Sequence, residues 1–580
     1  MKLSDNLRIN AFLAVIFLVS SLIIYRLFIL SFVRHSSYSL TAQAQNENIS
    51  NILARGNIYL RDGQDLFLSA TNRKFPLAYI IPSDIDPDLS SEIAEGLSQI
   101  LGINTDEILE KIRSGSKSLR VISRRLSDEQ VGQVKDLNLN GTGISYEIDR
   151  FYPAKDLASG VIGFLGYDSE GRSGQYGIES YYDRDLFGNV KSGGIFDSGR
   201  TAGIVKKIIG FFSGNDKDKS DKTENDFNRP ADIVLTIDRN IQIFVEDILE
   251  KLLEKWDAER GTIIVQDPES GKILAMADRP SFDPNDYSSY APNLFLNKSV
   301  QEIFEPGSSF KPITMAAGLD LNKVSPQTTY EDKGFIESSG YTIRNFSNKT
   351  FGVQTMSQVL EKSINTGAMF IENQIGDDNF LNYAINMGFG QSTGIDLPGE
   401  VSGDINNLYS GRKINYLTAS FGQGIAVTPI QLVNAYSAIA NGGKLMRPFV
   451  VEKIIRDGGE EEVTSPEIAS IPISEKTATR LKAMLVGVVD NGFDKARING
   501  YDIAGKTGTA QIPDGHGGYL EKEFIHNFLG FAPAYDPQFV ILIKMEKPKG
   551  ITFAADSLSP TFREIAAFMI NYYKIPPTRK

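Results

Sequence analysis

The sequence predicts an α+β protein with an N-terminal transmembrane helix, an α+β module and a larger domain in which an antiparallel sheet packs against a helical cluster. Three observations support this prediction: one long apolar run near the N-terminus, a change of composition near Asp232, and strand-like runs at both ends of the region that follows. The chain has 580 residues, of which 41% are apolar and 23% are charged. These proportions exclude a disordered chain, a collagen-like repeat and a multi-span membrane protein as descriptions of the whole.

The N-terminal apolar run extends over 25 residues, from Ile9 to Val33, whereas a helix needs about 20 residues to cross the hydrocarbon of a bilayer. Because Lys2 and Arg8 precede the run, we expect a short cytoplasmic tail (1–8), a transmembrane anchor (9–33) and the bulk of the chain outside. One alternative is a cleaved signal peptide, since Ala42-Gln43-Ala44 has the small-x-small form of a cleavage site. The other is a buried helix of a soluble protein.

Residues 36–200 read as an α+β module. Short β-type runs such as PLAYIIP and LRVISRRL alternate there with helical runs such as SSEIAEGLSQILGI and TDEILEKIRSG. We expect a charged linker over residues 203–230, because eight of the eleven residues from Asp216 to Asp226 are charged and none is large and apolar. Residues 231–580 then form the larger domain.

The larger domain opens with a short strand and a long amphipathic helix, in the run DIVLTIDRNIQIFVEDILEKLLEKW from Asp232. The next run, GTIIVQDPESGKILAMA, predicts a hairpin. Later, YDIAGKTGTAQI, NFLGFAPA and FVILIKME predict three more strands, and SPTFREIAAFMINYY predicts a closing helix. Since strands from both ends enclose a largely helical middle, we expect one antiparallel sheet packed against a cluster of helices.

The composition also restricts the chemistry. The chain has no cysteine, which excludes a disulfide framework, thiolate metal sites and a cysteine nucleophile. Its three histidines, His35, His516 and His526, leave little material for a histidine triad or a multi-histidine metal site. The net charge of -12 argues against nucleic acid as a partner. A nucleophilic mechanism would therefore need a base other than histidine.

A serine nucleophile can use lysine as its base if burial and nearby cations favour the neutral amine. Residues i and i+3 share a helix face, so Ser-x-x-Lys is the pattern to seek, and it occurs at Ser114-Lys117, Ser308-Lys311 and Ser410-Lys413. The first and last lie in polar, glycine-containing stretches that are typical of surface turns. Ser308 instead follows a Pro-Gly turn and precedes an apolar helix, which places it at a helix N-terminus. An ordinary N-cap serine is the alternative interpretation.

Two more short motifs lie in the same domain. Lys506-Thr507-Gly508-Thr509 lies in a predicted strand, where its glycine indicates a close approach to the backbone, and its lysine and threonines suit a carboxylate. The alternative is a β-turn with an exposed lysine. Ser363-Ile364-Asn365 precedes Thr366-Gly367, a pair expected to break or join helices. Each motif is weak alone, but their order and their separations of 55 and 143 residues from Ser308 to Ser363 to Lys506 are specific.

At these residues the chain resembles the penicillin-binding protein and serine β-lactamase superfamily, whose motifs are Ser-x-x-Lys, Ser-x-Asn and Lys-Thr-Gly. It looks most like a class B penicillin-binding protein, a monofunctional D,D-transpeptidase, in NKSVQEIFEPGSSFKP, MGFGQSTGIDLPGE, SFGQGIAVTPIQLVNAYSAIANGG and AGKTGTAQ. Upstream, RGNIYLRDG, RFYPAKDLASGVIGFLG and GQYGIESYYD resemble the non-catalytic pedestal, a dimerisation-type domain. The sequence departs from the usual pattern at Ile364, at Ser309 and in the charged segment 215–226.

The resemblance implies a five-stranded antiparallel sheet flanked by helices, plus an all-α subdomain. It implies that the catalytic residues are Ser308, Lys311, Ser363, Asn365 and Lys506, and that Thr507, Gly508 and Thr509 bind substrate. The implied substrates are peptidoglycan stem peptides, with β-lactams acylating Ser308, and neither a metal nor an organic cofactor is implied. Because the chain is acidic and such substrates are anionic, local cations such as Lys311 and Lys506 must outweigh the global charge.

The resemblance leaves several functions open. A D,D-carboxypeptidase, a β-lactamase and a non-catalytic receptor for β-lactams or cell-wall peptides share the same motifs. Within the transpeptidases, the pedestal motifs favour the division-specific, septal branch over the elongation enzyme. The implied location is the bacterial inner membrane, with a single span, an extracytoplasmic catalytic domain, and partners that include a SEDS-family glycosyltransferase and other membrane proteins of cell-wall synthesis.

Overall fold

The computed structural model describes residues 55–167, 171–188, 230–338, 340–492, 494–514 and 518–579. The predicted tail (1–8), the anchor (9–33) and nearly all of the linker (203–230) lie outside the described residues. Of the helices in the described part of the chain, none combines the length and the apolar composition that crossing a bilayer requires. The chain divides into two compact units, and their described parts are Arg55 with 72–149, and 56–71 with 150–579.

The strands are numbered in chain order. They are β1 (Ile58–Asp62), β2 (Asp65–Ile80), β3 (Arg120–Arg124), β4 (Thr142–Phe151), β5 (Phe164–Tyr167), β6 (Arg172–Gln175), β7 (Asp232–Asp238), β8 (Arg260–Gln266), β9 (Ile273–Arg279), β10 (Thr329–Asp332), β11 (Phe335–Ser338), β12 (Tyr341–Arg344), β13 (Gly352–Thr355), β14 (Leu445–Met446), β15 (Val451–Ile455), β16 (Glu461–Val463), β17 (Ile468–Ser470), β18 (Ala504–Pro513), β19 (Tyr519–Ala532) and β20 (Phe539–Glu546).

The α-helices are numbered in the same way. They are α1 (Ser90–Leu101), α2 (Thr105–Arg113), α3 (Asp128–Asp136), α4 (Ser159–Ile162), α5 (Gly177–Tyr181), α6 (Asp183–Phe187), α7 (Arg239–Trp256), α8 (Lys298–Gln301), α9 (Lys311–Asp320), α10 (Met356–Glu361), α11 (Asn365–Ile375), α12 (Asp377–Asn386), α13 (Lys413–Ala419), α14 (Pro429–Ala440), α15 (Glu475–Gly487), α16 (Ala554–Ser557) and α17 (Ser559–Tyr572).

The smaller unit is an α+β structure, as its alternating sequence runs predict. The second half of β2 pairs antiparallel with β3, from Leu77 opposite Arg124 to Ile80 opposite Arg120. The apolar faces of α1 and α2 form its core, with Ile93 and Ile108 almost completely buried. Both helices were predicted from the spacing of apolar residues in the sequence, and the structure confirms them.

The larger unit contains the predicted antiparallel sheet, with five strands in the order β18-β19-β20-β8-β9. Alternate residues of its central strands enter different cores, because successive side chains point to opposite faces. Ile541 and Ile543 of β20 pack with α7 and α17, whereas Val540 and Leu542 pack with the helical cluster that includes α9 and α14. Burial on both faces explains why these strands read as continuous apolar runs.

The sheet order decides where the candidate motifs meet. The hairpin β8–β9 and the three late strands combine as predicted, and β18, which carries Lys506-Thr507-Gly508-Thr509, forms one edge of the sheet. One local prediction was wrong: Thr366-Gly367 does not separate helices but lies in the first turn of α11. The separation falls earlier, between the end of α10 at Glu361 and the start of α11 at Asn365.

Candidate active site

Ser308 lies on a 3₁₀ turn, Gly307–Phe310, that leads directly into α9. Pro312 occupies the first turn of α9, where a missing N–H costs nothing, as its position in the sequence predicts. The spacing of one helical turn brings Lys311 Nζ to 2.9 Å from Ser308 Oγ. Gly307 has a φ of +59°, and a Cβ there would lie 3.0 Å from the carbonyl oxygen of Thr509, so glycine allows this turn to contact the edge strand β18.

Ser363 links the two lysines of the site. Its Oγ lies 3.2 Å from Lys311 Nζ and 3.0 Å from Lys506 Nζ, and its carbonyl oxygen accepts a hydrogen bond of 2.6 Å from Lys311. Ser363 has a φ of +54°, an unfavourable conformation for a residue with a side chain. Such backbone strain is found at functional sites, and here it accompanies contacts of both Ser363 oxygens with Lys311.

Asn365 completes the surroundings of Lys311. Its Oδ1 lies 2.8 Å from Lys311 Nζ, and its amide nitrogen donates to the carbonyl oxygen of Arg344 at 3.2 Å. The structure therefore brings together, around one serine, all five residues that the resemblance implies to be catalytic. These residues are Ser308, Lys311, Ser363, Asn365 and Lys506.

Both lysines are removed from water. Lys311 is 1% exposed and Lys506 is not exposed at all. Burial, and then the charge of Lys506, holds the pKa of Lys311 well below its ordinary value, while burial lowers the pKa of Lys506 to about 7. A neutral amine beside the Ser308 hydroxyl is therefore accessible near neutral pH, as the sequence argument requires.

The remaining motif residues lie along β18. Thr507 and Thr509 line a cavity of about 250 Å³ together with Ser308, Ser363 and Asn365. Thr509 Oγ1 accepts a hydrogen bond of 3.2 Å from the backbone N–H of Ala554, so its own hydroxyl proton is left to donate to a ligand.

Gly508 is needed by the packing of the protein itself. A Cβ there would lie 2.5 Å from the carbonyl oxygen of Pro306 and 2.4 Å from the side chain of Asn527. The group that approaches this glycine closely is therefore the turn before Ser308. It follows that Gly508 sets the distance between β18 and the turn that carries Ser308.

The other two Ser-x-x-Lys pairs have different partners. Ser114 Oγ donates to the carbonyl oxygen of Lys111, and Ser410 Oγ donates to that of Asn407. Lys413 binds the buried carboxylate of Glu372 at 2.6 Å and Asp377 at 2.7 Å. Neither serine is hydrogen-bonded to the lysine of its own pair, whereas Ser308 is bonded to Lys311.

The two departures from the usual motifs are accommodated. Ser309 is completely buried, and its hydroxyl donates to the carbonyl oxygen of Pro306 at 2.8 Å. The carbonyl oxygen of Ser309 accepts a hydrogen bond of 2.7 Å from Tyr436. Ile364 is 1% exposed and packs inward. Neither side chain takes part in the hydrogen bonds that join Ser308, Lys311 and Ser363.

Several other residues that line the cavity were not predicted from the sequence. Phe346 and Phe553 meet edge to face across its rim, with ring centroids 5.3 Å apart, and Lys349 and Lys362 also line it. They belong to the segment between β12 and α11 and to the loop after β20. No short motif marks them, because each reaches the cavity only through the tertiary fold.

Comparisons with known families agree with this geometry. The model of the penicillin-binding protein transpeptidase domain matches residues 261–567, and the model of the penicillin-binding protein dimerisation domain matches residues 52–193. The first of these matches contains Ser308, Lys311, Ser363, Asn365 and the segment 506–509.

Individual proteins are similar over most of the chain. Stage V sporulation protein D of Bacillus subtilis is 32% identical over 534 residues, which are 90% of this chain and 79% of that protein. A peptidoglycan D,D-transpeptidase FtsI homolog of Mesostigma viride is 28% identical over 589 residues, covering 96% and 94%. The crystal structure of penicillin-binding protein 3 of Mycobacterium tuberculosis with aztreonam is 27% identical, with a TM-score of 0.63 over 74% of this chain and 92% of that chain. By its domains, its relatives and its fold, this chain belongs to the penicillin-binding protein transpeptidase family.

Proposed function

We propose that this chain is a peptidoglycan D,D-transpeptidase, a serine acyltransferase that cross-links stem peptides and is acylated by β-lactams. One observation carries the proposal. Ser308 Oγ, Lys311 Nζ, Ser363 Oγ and Lys506 Nζ form an unbroken series of contacts at 2.9, 3.2 and 3.0 Å, in which both amines are buried. Such a series can take a proton from the nucleophile and deliver one to a leaving group.

In the acylation step, neutral Lys311 takes the proton of Ser308, and Oγ attacks the carbonyl carbon of the penultimate D-alanine. The backbone N–H groups of Ser308 and Thr509 stabilise the oxyanion, and one such donor contributes about 3–4 kcal/mol in other acyl-transfer enzymes. Ser363, in contact with Lys506, passes a proton to the departing D-alanine amine as the peptide bond breaks. The product is an ester between Ser308 and the donor stem.

Substrate binding uses the other motif residues. Thr507 and Thr509 donate hydroxyl protons to the terminal carboxylate of the stem, and the strand around Gly508 supplies the edge on which the peptide lies. Asn365 holds a substrate amide and the Nζ of Lys311. In the second step an amine of a neighbouring stem attacks the ester, Ser308 regains its proton, and a new amide cross-link remains.

The proposal is tested with the full-length chain, fluorescent penicillin and synthetic stem peptides. We expect wild-type protein to be labelled covalently and to form a cross-linked peptide dimer, and we expect Ser308→Ala to do neither. Ser410→Ala, which changes the serine of an unrelated Ser-x-x-Lys pair, is the matched control and should be labelled like wild type. Labelling of Ser308→Ala would refute the assignment of the nucleophile.

The same assay separates the alternative activities. Release of D-alanine without a dimer, in the presence of an acceptor amine, would identify a D,D-carboxypeptidase. Rapid loss of the penicillin label with release of hydrolysed drug would identify a β-lactamase. Stable labelling without any turnover of stem peptide would identify a receptor.

The proposal includes the organisation of the whole chain. Residues 9–33 anchor it once in the bacterial inner membrane, 36–200 form the pedestal, 203–230 form a charged linker, and 231–580 form the extracytoplasmic transpeptidase domain. A SEDS-family glycosyltransferase and other cell-wall synthesis proteins of the membrane are the proposed partners of the anchor and pedestal. Protease added outside spheroplasts should digest the catalytic domain, and its protection would contradict this orientation.

We also place the chain in the division-specific branch, supported by the pedestal motifs RGNIYLRDG and RFYPAKDLASGVIGFLG. A functional fluorescent fusion should then concentrate at midcell. Uniform labelling of the sidewall would support the elongation enzyme instead.

A further inference from the structure

Asp332 is a buried carboxylate close to the candidate active site that has no part in the mechanism above. It ends β10 and is 1% exposed. Its oxygens accept hydrogen bonds from the N–H groups of Gly334 and Phe351, at 2.9 and 2.7 Å. They also accept from the amide of Asn345 at 3.0 Å and from the hydroxyl of Thr366 at 2.6 Å.

All four of these donors are neutral groups. A carboxylate in the protein interior is costly in free energy unless hydrogen-bond donors of the protein replace the water that it loses. Here the replacing donors are two backbone N–H groups, a side-chain amide and a hydroxyl. The donors come from three separate segments, at 334, at 345–351 and at 366. One side chain therefore joins these segments at a single point.

The N-terminus of α11, the helix that begins with Asn365, is capped through the hydrogen bonds of Asp332. The residue before α11 is Ile364, whose side chain cannot accept a hydrogen bond, so the helix has no N-cap of its own. Instead, Asn345 Oδ1 accepts from the backbone N–H of Thr366 at 3.0 Å. Asn345 is 4% exposed, and its amide nitrogen donates to both oxygens of Asp332 and, at 3.1 Å, to the carbonyl oxygen of Lys349. These acceptors hold the amide in the orientation that makes this cap, and Asp332 supplies two of the three.

These hydrogen bonds also hold the residues that neighbour Asn365. Thr366, the next residue, is held through its N–H by Asn345 and through its hydroxyl by Asp332. Arg344, whose carbonyl oxygen accepts the amide of Asn365, directly precedes Asn345. With its neighbours held in this way, Asn365 keeps its Oδ1 2.8 Å from Lys311 Nζ.

We propose that Asp332 is a positioning residue for acylation: through Asn345 and Thr366 it fixes Asn365, and through Asn365 it fixes the amine that takes the proton of Ser308. The inference rests on the proposed function. Asp332 does not line the cavity, so it acts through its neighbours and not on the reacting atoms. Asn345 and Phe351 also line the cavity, so the same carboxylate holds part of the cavity wall.

The test uses Asp332→Asn in the full-length chain and measures the second-order rate constant for acylation by fluorescent penicillin. The substitution preserves size but replaces one acceptor oxygen by an NH₂ group, which must face a donor of Asn345, Thr366 or the backbone. We expect the rate constant to fall between about 10-fold and 100-fold, because small displacements of catalytic groups have effects of this order.

The matched control is Asp396→Asn, another buried carboxylate of the same unit. Asp396 is 7% exposed and accepts from the N–H groups of Val450 and Val451 at 2.7 and 2.8 Å, and it does not line the cavity. We expect both variants to melt at lower temperature than wild type, but only Asp332→Asn to lose acylation among the molecules that remain folded at the assay temperature.

The pH profile provides a readout that a purely structural effect would not change. The Oδ1 of Asn365 favours the charged form of Lys311, so displacing it lowers the pKa of this lysine, and the acid limb of the acylation profile should move to lower pH. Lys506, the charged group that faces Lys311, is unchanged in the variant. Thr366→Val keeps the Asp332 side chain and removes one of its four donors, together with the 3.1 Å contact of that hydroxyl with the hydroxyl of Tyr330. It should shift the limb in the same direction with a smaller loss of rate.

The possible outcomes separate the two proposals. If wild type is acylated at Ser308 and Asp332→Asn is acylated at the same rate with the same pH profile, the positioning role is wrong and the proposed function stands. If wild type is not acylated, the proposed function fails and the inference fails with it. If Asp332→Asn does not fold, Thr366→Val decides, and a wild-type rate and profile for that variant would overturn the role.

Discussion

Removing the charge of Lys506 should raise the pKa of Lys311. The two amines contact the same oxygen of Ser363 at 3.0 and 3.2 Å, so their nitrogen atoms are at most about 6.2 Å apart. Two unit charges at this distance repel by about 2.7 kcal/mol at an effective dielectric constant of about 20, and by about 0.7 kcal/mol at about 80. These energies correspond to about 2 and 0.5 pKa units.

The direction of the shift in the pH profile follows from the proposed role of Lys311 as the base. Only neutral Lys311 can accept the proton of Ser308, so the acylation rate falls when the pH drops below the pKa of this lysine. In Lys506→Met, which removes the amine and leaves an unbranched side chain one atom shorter, the ammonium of Lys311 is no longer repelled. We expect the acid limb of the profile to move to higher pH by between about 0.5 and 2 units, besides a lower maximal rate.

The assay is the rate constant for penicillin acylation, measured between pH 5 and 9. Lys362→Met is the control, because Lys362 lines the same cavity but is exposed, and water screens its charge. Its acid limb should stay within about 0.3 units of wild type. An acid limb of Lys506→Met that coincides with wild type, or moves to lower pH, would refute the electrostatic coupling of the two lysines.

Three further predictions concern packing and stability. Gly508→Ala should reduce the rate of acylation about 100-fold in folded protein, because a Cβ 2.5 Å from the Pro306 carbonyl oxygen must push β18 away from Ser308. An unchanged rate in the penicillin assay would contradict this. Glu179→Gln should lower the free energy of unfolding by about 3–5 kcal/mol in chemical denaturation, because Arg150, 1% exposed and 2.7 Å from Glu179, would lose its buried counter-charge. Burial lowers the pKa of His526 to about 4. Between about pH 4 and 6.5 the folded protein therefore binds fewer protons than the unfolded chain, and its free energy of unfolding decreases as the pH falls through this range. Between pH 7 and 4.5 wild type should lose about 2–3 kcal/mol more than His526→Asn, and equal losses would contradict the assignment.

Local patterns predicted the parts of the site that depend on one element. The Ser308–Lys311 contact follows from i, i+3 spacing at a helix start, and the apolar runs around Lys506 identify β18 as a strand. The contact of Ser363 with Lys506 joins residues 143 positions apart. Only the resemblance to a known family could place these two together before the fold was known.

The prediction at Thr366-Gly367 was wrong for a physical reason. Threonine and glycine are weak helix formers, so the pair reads as a break. In the structure, Asn345 caps the N–H of Thr366 from another segment, and a Cβ on Gly367 would lie 2.4 Å from the side chain of Val359. Tertiary contacts therefore make both residues suitable for the first turn of α11, and sequence spacing cannot show such contacts.

The acidic composition of the chain poses an electrostatic problem, and the local charges of the cavity offer a solution. The net charge is -12, but none of the described residues that line the cavity is an aspartate or a glutamate. Lys349 and Lys362 line it, and Lys311 and Lys506 lie buried behind Ser363. The nearby carboxylate of Asp332 is turned away into hydrogen bonds with four neutral donors. A concave surface with walls of low dielectric constant concentrates the field of Lys349 and Lys362, and that of Lys506 below its pKa of about 7. The proposed anionic stem peptide therefore meets a positive local potential, whatever the sign of the total charge.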